Sequence, residues 1–308
     1  LDGSRSIFMD AVKATIRLDE KNALDVLAIY NSPENPLAVG RSYPYGYGDR
    51  PLTGGKDETE WGGGLYFKSK EFSELPFELY YLYKRETKSL TARTTGTSKV
   101  EDGRDTHTLG ARVMPKITDT LSAEFEGAAQ AGQKDSGEAT SGYMGYAGLT
   151  YKPAVDFTAK PYLTGACYYL SGDKDQGAGH GDSAWDPLWA RWPQFSELYA
   201  YNTIYGAGYW SNLIYPHVDA GVEMGPGHKV SSSLGPMYTA VEDDLGGGDG
   251  NLKGWLGMVR YDFPLLKNIF GKRGELYGHV TAEVLDPGDY YVKDNIAYFL
   301  RWEVNARF

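Results

Sequence analysis

The fold is decided by the end of the chain, Ile296-Ala297-Tyr298-Phe299-Leu300-Arg301-Trp302-Glu303-Val304-Asn305-Ala306-Arg307-Phe308. Every second residue of this stretch is apolar, and from Arg301 onward the residues between them are mostly polar. This period of two predicts a β-strand, and its length exceeds the roughly 5 or 6 residues of a typical strand. A tilted strand that crosses a bilayer needs about 9 to 11 residues. The stretch therefore predicts a membrane-spanning strand, with the edge strand of a soluble β-sandwich as the alternative.

The same alternation recurs upstream and predicts about 13 strands in this chain. In residues 275–285, for example, Val280 and Val284 alternate with Thr281 and Glu283. The other candidate strands lie at or near 12–18, 23–31, 60–68, 77–84, 105–114, 121–131, 141–152, 158–170, 214–223, 230–238, 251–263 and 296–308.

The connections between these strands alternate in length. Short turns at 19–22, 70–75, 115–119, 153–157, 226–228 and 264–273 alternate with long polar connections at 32–57, 86–104, 133–140, 171–211, 239–250 and 286–293. Bacterial outer-membrane barrels have short periplasmic turns, long extracellular loops and an even number of strands. The pattern predicts an all-β, antiparallel transmembrane β-barrel in which residues 1–308 form a single domain, with further strands before Leu1. A β-propeller or β-solenoid needs a sequence repeat, and none is visible beyond hairpin length.

The composition excludes several classes of function. The 41 acidic and 31 basic residues leave a net charge of −10, whereas a nucleic-acid-binding protein presents a basic surface. No stretch approaches the roughly 18 to 20 apolar residues of a transmembrane helix. Cys167 is the only cysteine, which excludes an internal disulfide framework.

No catalytic or cofactor motif is present, so the chain is predicted not to be an enzyme. There is no Gly-x-Ser-x-Gly or His-Glu-x-x-His pattern, and His180 with Asp182 and Ser183 is the one loop cluster that fits a hydrolase. No cofactor is predicted. The acidic stretches 173–177 and 243–249 offer oxygen ligands for Ca²⁺, but neither has the spacing of an EF-hand.

The polar side of the predicted strands supplies candidate pore-lining residues. A pore for an anionic polysaccharide is expected to present Arg and Lys to the solute. The candidates are Lys13, Arg17, Lys68, Lys84, Arg112, Lys152, His217, Arg301, Glu303 and Arg307. Acidic residues such as Glu60, Glu78 and Glu283 share this side, so the predicted lumen is mixed in charge. An ion pair that holds the shape of the barrel is the alternative role for each charged residue.

The longest connection, residues 171–211, is aromatic at its centre. Its residues 185–195 read Trp-Asp-Pro-Leu-Trp-Ala-Arg-Trp-Pro-Gln-Phe. A loop of this length in a compact domain is usually functional, and we expect it to be extracellular or folded into the lumen. The candidates for a constriction or for stacking on sugars are Trp185, Asp186, Trp189, Arg191, Trp192 and Phe195. The alternative is a loop that only fastens itself to the barrel rim.

Three motifs resemble a known family. Asp186-Pro187-Leu188 stands between aromatic residues, the chain opens with Leu1-Asp2-Gly3-Ser4-Arg5, and Asp286-Pro287-Gly288-Asp289-Tyr290-Tyr291 precedes the final strand. They are similar to motifs of the alginate-export family of outer-membrane proteins, and the terminal Phe308 resembles the signal that closes such barrels. The resemblance implies a monomeric barrel of about 18 strands and export of a polysaccharide. Trp185 and Trp189 stand where the family pattern has Phe, and no His follows Leu188 closely, which leaves the exported sugar open.

The sequence thus predicts a passive, porin-like channel of the bacterial outer membrane for a polysaccharide or another anionic solute. Its predicted partners are outer-membrane lipid, lipopolysaccharide and the solute, and nucleic acid is excluded. A second hypothesis is a structural or docking barrel whose loops bind a partner protein. The odd strand count also allows a partner chain to complete the barrel.

Overall fold

The computed structural model describes residues 10–31, 59–87, 89–92, 98–155, 158–174, 182–189, 195–198, 211–242, 246–269, 274–292 and 294–307. The strands are β1 (Ala11–Arg17), β2 (Asn22–Asn31), β3 (Glu60–Ser69), β4 (Phe77–Glu86), β5 (Ser89–Ala92), β6 (Ser98–Glu101), β7 (Arg104–Val113), β8 (Leu121–Lys134), β9 (Ala139–Tyr151), β10 (Lys160–Leu170), β11 (Leu213–Glu223), β12 (Lys229–Tyr238), β13 (Leu252–Asn268), β14 (Gly274–Pro287) and β15 (Ala297–Arg307). In these residues no helix is long and apolar enough to span a membrane.

Thirteen of the strands form one sheet in the order β1-β2-β3-β4-β7-β8-β9-β10-β11-β12-β13-β14-β15. The registers of the pairs are antiparallel, as in Val12↔Ala28 between β1 and β2 and Val280↔Trp302 between β14 and β15. The prediction of an all-β, antiparallel sheet of this size is therefore confirmed. Within the described residues β1 and β15 are the two edges, and the sheet is not closed.

One predicted connection is confirmed and another is wrong. The long connection predicted at 86–104 does join two neighbouring strands of the large sheet, β4 and β7, and it contains the hairpin β5-β6, which pairs as a separate two-stranded sheet. Residues 133–140 are not a long connection, because β8 continues to Lys134 and β9 begins at Ala139. The Lys134 N–H donates to the Glu138 carbonyl at 2.8 Å and closes a tight turn. The polarity of these residues predicts a loop. The hydrogen bonds between the β8 and β9 backbones do not depend on side-chain polarity, and they continue through these residues.

The backbone contacts divide the chain into two units. Unit 1 comprises Leu1–Val113, Glu126–Met144 and Ser171–Arg191, and its described residues include β1 to β7. Unit 2 comprises Met114–Phe125, Gly145–Leu170 and Trp192–Phe308, and it includes β10 to β15.

The sheet has an apolar face and a polar face, and the apolar face is the exposed one. In β15 the side chains of Tyr298, Leu300 and Trp302 are 74%, 74% and 75% exposed. In β14 the exposed Val280 and Val284 alternate with the buried polar residues His279, Thr281 and Glu283. Other exposed residues of the apolar face are Leu65, Leu79, Leu109, Leu163, Val218, Leu234 and Val259.

This burial pattern is the inverse of that of a soluble antiparallel sheet, which buries its apolar side and leaves its polar side in water. A large exposed apolar surface marks contact with another protein or with a membrane. The alternation in the sequence therefore places apolar side chains on the exposed face of the sheet and most of the buried polar contacts on the opposite face.

The turn between β1 and β2 shows how the short connections are held. The Asp19 carboxylate accepts hydrogen bonds from the Asn22 side-chain amide and from the backbone N–H groups of Lys21 and Asn22. The hydrogen bond from the Asn22 side chain, followed by that from the Lys21 N–H, lowers the pKa of Asp19 from its usual value. An Asp at this place favours the turn because its side chain satisfies the free backbone donors.

Candidate functional site

Two segments of the long connection lie against the polar face. Segment 182–189 contacts strands of unit 1, and segment 195–198 contacts strands of unit 2. Of the candidate residues in this connection, Trp185, Asp186, Trp189 and Phe195 are in these segments, whereas Arg191 and Trp192 lie outside the described residues.

The Asp-Pro-Leu turn in segment 182–189 is held by the side chain of Gln130 in β8. The Asp186 N–H donates to Gln130 Oε1 at 2.8 Å, and Gln130 Nε2 donates to the Asp186 carbonyl at 2.7 Å. Asp186 Oδ1 accepts the N–H of Leu188 at 2.7 Å, which makes an Asx turn. Leu188 has a φ of 57°, in the left-handed region that a branched residue rarely adopts. The surrounding contacts therefore hold this turn in an unfavourable backbone conformation.

A buried cluster of charges fastens the same turn to the sheet. Lys84, only 2% exposed, donates from Nζ to the Leu188 carbonyl at 2.9 Å and to Glu86 at 2.6 Å, and it lies 3.4 Å from Glu60. Arg104 contacts the Asp186 carboxylate at 2.8 Å and also pairs with Glu86. Removing charges from water is expensive unless they are paired and hydrogen-bonded. Two contacts of this cluster, from Lys84 to the Leu188 carbonyl and from Arg104 to Asp186, join segment 182–189 to the sheet.

The two tryptophans of this segment are packing residues. Trp185 and Trp189 are each 6% exposed. The backbone of Trp185 lies so close to Gly142 that a Cβ at that glycine would be 3.1 Å from the Trp185 Cα. A Cβ at Gly62 would be 2.9 Å from the ring of Trp189. Their burial leaves neither ring an open face on which a sugar can stack.

In unit 2, Glu283 of β14 binds the backbone of segment 195–198. Its carboxylate accepts hydrogen bonds from the Ser196 hydroxyl at 2.5 Å and from the N–H groups of Glu197 and Leu198 at 3.0 and 3.1 Å. Arg301 donates to Glu197 at 2.9 Å and pairs with Glu303 on its own strand. Arg301 and Glu303, predicted to line a pore, thus act here with Glu283 to hold the segment.

Five rings form an aromatic cluster on the polar face of unit 2. Phe195 lies 4.8 Å from Tyr215 and 5.7 Å from Tyr168, measured between ring centroids. His217 is stacked on Tyr215 at 4.4 Å, and Tyr146 lies 4.6 Å from Tyr168. The sequence predicted Phe195 and His217 in separate roles, and the structure brings them to the same two tyrosines.

The remaining pore-lining candidates are spread along the polar face. Lys13 and Lys68 share the buried Asp25 at 3.7 and 2.9 Å, while their own side chains are 57% and 47% exposed. Arg112 lies 3.4 Å from Glu78. The other three candidates are exposed. Arg307 lies over the Tyr277 ring, Arg17 ends β1, and Lys152 follows β9 directly.

Sequence reasoning did not select Gln130, Arg104 or Glu86, although each contacts the docked turn or its charge cluster. Gln130 and Glu60 lie on the polar side of predicted strands. Many other polar residues share that position, so it did not distinguish these two. Glu86 and Arg104 lie at the two ends of a predicted connection, so the sequence did not show that they are paired strand residues of β4 and β7.

The other chemical candidates have structural partners or are outside the described residues. Ser183 donates to the Gly172 carbonyl at 2.9 Å, and Asp182 accepts the N–H of Ala184 at 3.0 Å. His180 lies outside the described residues, as do parts of both acidic stretches considered for Ca²⁺, residues 175–177 and 243–245. In the part of the chain that the structure describes, no group of three or more His, Cys, Asp or Glu residues is placed to hold a metal ion.

Two of the three family-like motifs have a defined place in this geometry. Asp186-Pro187-Leu188 forms the docked turn, and 286–291 ends β14 and turns back so that Tyr290 is buried beneath Lys253. Residues 1–5 are outside the described residues. No family model matches the chain, and comparison with curated proteins gives no match. The resemblance to alginate-export proteins stays a prediction from these motifs.

Proposed function

We propose that the sheet is the wall of an outer-membrane β-barrel channel for a polysaccharide or another anionic solute. The observation that carries this proposal is the inverted burial, with large apolar side chains exposed along one face of the sheet. In a bilayer that face contacts lipid, and the polar face lines the interior.

The strands have the length that a membrane requires. Most strands of the large sheet have 10 to 17 residues, and a tilted transmembrane strand needs about 9 to 11. Alternation in β15 places Tyr298, Leu300, Trp302 and Val304 together on the exposed side. Lipid contact removes the cost of exposing these side chains to water.

Closure of the barrel requires more than these thirteen strands. In an antiparallel sheet with an odd number of strands the two edges, β1 and β15, run in the same direction. An unpaired edge in lipid leaves backbone groups without hydrogen bonds, and bacterial barrels have even strand numbers. We infer that closure needs additional strands. Another chain as their source would favour the alternative function, a barrel subunit that docks on a partner.

The polar face offers two features for a sugar polymer. The half-buried rings of Phe195 and Tyr168 in the aromatic cluster provide ring faces, and the side chains of Lys13 and Lys68 stay half-exposed near the end of the sheet at β1. Segments 182–189 and 195–198 each lie over the polar face of their own unit. Diffusion through the channel needs no covalent chemistry.

Planar-bilayer conductance of the intact protein tests the proposal. We expect stable channels that oligo-uronates block more strongly than neutral oligosaccharides of the same length. The double variant Lys13→Gln/Lys68→Gln should lose most of this preference, because the exposed cations on the polar face are removed. Lys116→Gln, at a turn lysine that pairs with Asp119, is the matched control and should retain the preference.

Two outcomes contradict parts of the proposal. Channels that treat uronates and neutral sugars alike would contradict the anionic solute. Folded protein that gives no channels would contradict transport and favour the docking subunit.

A further inference from the structure

A groove of about 730 Å³ opens on the apolar face of unit 1, away from the docked segments. It is lined by Tyr81, Tyr83, Asp105, His107, Gly132 and Gln133. Alternation assigns it to the apolar face, because Tyr81 and Tyr83 follow the exposed Leu79 in β4, and His107 and Asp105 precede the exposed Leu109 in β7. Its volume lies within the roughly 300–1,000 Å³ of small-molecule sites.

The aromatic wall of the groove is held in place by hydrogen bonds at the tips of its rings. The Tyr81 hydroxyl lies 2.7 Å from His107 Nδ1, and the Tyr83 hydroxyl donates to Asp105 at 2.5 Å. The ring of His107 lies 5.0 Å from that of Tyr83, and Trp61 packs edge-on against Tyr83 at 5.6 Å. A ligand would therefore meet ring faces that are already oriented.

The polar groups of the groove are suited to hydroxyl groups more than to an anion. Beside the groove, Arg85 pairs with the lining residue Asp105 at 3.1 Å and with Asp135 at 2.7 Å, so one guanidinium faces two carboxylates. Gln133 adds an amide whose Nε2 donates to the Gly137 carbonyl at 3.0 Å. Carboxylates accept hydrogen bonds from hydroxyls, guanidinium and amide groups donate them, and flat aromatic faces pack against the C–H groups of a pyranose ring.

The position of the groove indicates where such a sugar would come from. β4 ends at Glu86 and β7 begins at Arg104, so the groove lies at the end of the strands that leads into residues 87–103. On our proposed function this long connection is extracellular. Leu79 is four residues below Tyr83 along β4, about 13 Å at the rise of a strand, and it belongs to the surface that would contact acyl chains. A ligand that joins a sugar to hydrocarbon chains fits both features.

We propose that this groove binds the sugar headgroup of a glycolipid in the outer leaflet. The pyranose ring lies against Tyr81 and Tyr83, Asp105 and Gln133 hold its hydroxyls, and the acyl chains extend along Leu79 and Leu109. The inference rests on the proposed function, because it requires the apolar face to contact lipid.

Native mass spectrometry of the intact protein, released from nanodiscs, tests the site. The discs contain phosphatidylethanolamine and a lipooligosaccharide, and the free oligosaccharide of that lipid is added in a separate arm. We expect the wild-type protein to retain the lipooligosaccharide about tenfold better than the variant Tyr83→Leu, the change expected when an aromatic contact is lost. Asp105→Asn, which keeps an acceptor for the Tyr83 hydroxyl, should also weaken retention.

Tyr151→Leu is the matched control, since Tyr151 is an exposed tyrosine of the apolar face at the short-turn end of β9. It should retain the glycolipid like the wild type. The inference would be overturned if all variants retained the glycolipid equally, or if the protein retained both lipids equally. If the free oligosaccharide bound as tightly as the glycolipid, the claim that the ligand is a lipid headgroup would be overturned. Conductance of the same preparations separates this inference from the proposed function. Protein that conducts but does not retain glycolipid preferentially contradicts this inference alone. Protein that never inserts into the bilayer contradicts the channel as well.

Discussion

Replacing Lys84 by Met should release segment 182–189 from the polar face. Lys84 is buried between Glu60 and Glu86 and holds the Leu188 carbonyl at 2.9 Å. Breaking a buried ion pair by removal of one partner destabilises a protein by about 3–5 kcal/mol. Arg104 continues to pair with Glu86 in the variant, so we expect a loss at the lower end, about 3 kcal/mol.

The measurement is urea unfolding of the protein folded into lipid vesicles, followed by tryptophan fluorescence. Trp185 and Trp189 flank the turn and are buried in the docked state, so release should also shift the emission to longer wavelength before global unfolding. Limited proteolysis gives a second readout. A loss of 3 kcal/mol confined to docking would raise cleavage within 182–189 on the order of a hundredfold.

Lys68→Met is the control, because Lys68 is half-exposed on the same face and pairs with Asp25 at 2.9 Å. The buried Asp25 keeps Lys13 and the Thr15 hydroxyl as partners in this variant, so we expect a loss of about 1 kcal/mol. Adding Glu60→Gln to Lys84→Met should recover part of the stability, since one buried charge is neutralised. If Lys84→Met is no more destabilising than Lys68→Met, the charge cluster does not hold the segment and the reasoning is refuted.

Three other substitutions test the remaining parts of the structure. Glu283→Gln should weaken the hydrogen bonds to segment 195–198 and reduce the free energy that holds it by about 1.5–3 kcal/mol. Amide exchange in this segment should become faster, and unchanged exchange would contradict the role of Glu283. Leu234→Arg on the apolar face should destabilise the lipid-embedded protein by about 2–4 kcal/mol, whereas Ser231→Arg on the polar face should cost much less, and equal losses in vesicle unfolding would contradict lipid contact. Gly110→Ala places a methyl group against the Tyr80 ring and should cost about 1–3 kcal/mol, while Gly165→Ala, with open space around its Cβ position, should be tolerated in the same assay.

The strands and their faces could be predicted from the sequence because each depends on local information. A residue's side of a strand follows from the parity of its position, so Leu300 and Arg301 are assigned to opposite faces without knowledge of their neighbours. The same reasoning failed at 133–140, where polar residues continue the ladder, and it did not detect the hairpin β5-β6 inside the connection at 86–104. In both places the backbone hydrogen bonds, and not the side-chain pattern, decided the structure.

The candidate site depended on contacts between residues far apart in the chain. Asp186 and Lys84 were each singled out from the sequence, yet only the fold showed that the turn at 186–188 is held by Lys84, Arg104 and Gln130. Lys84 is 104 residues from Leu188 in the sequence, and Arg104 is 82 residues from Asp186. No local period encodes such a pairing. The sequence by itself determined an all-β chain with one apolar and one polar face, because alternation is a property of neighbouring residues. Tertiary structure alone decided which polar residues are buried together, because burial of a charge depends on whether the folded chain brings a partner to it.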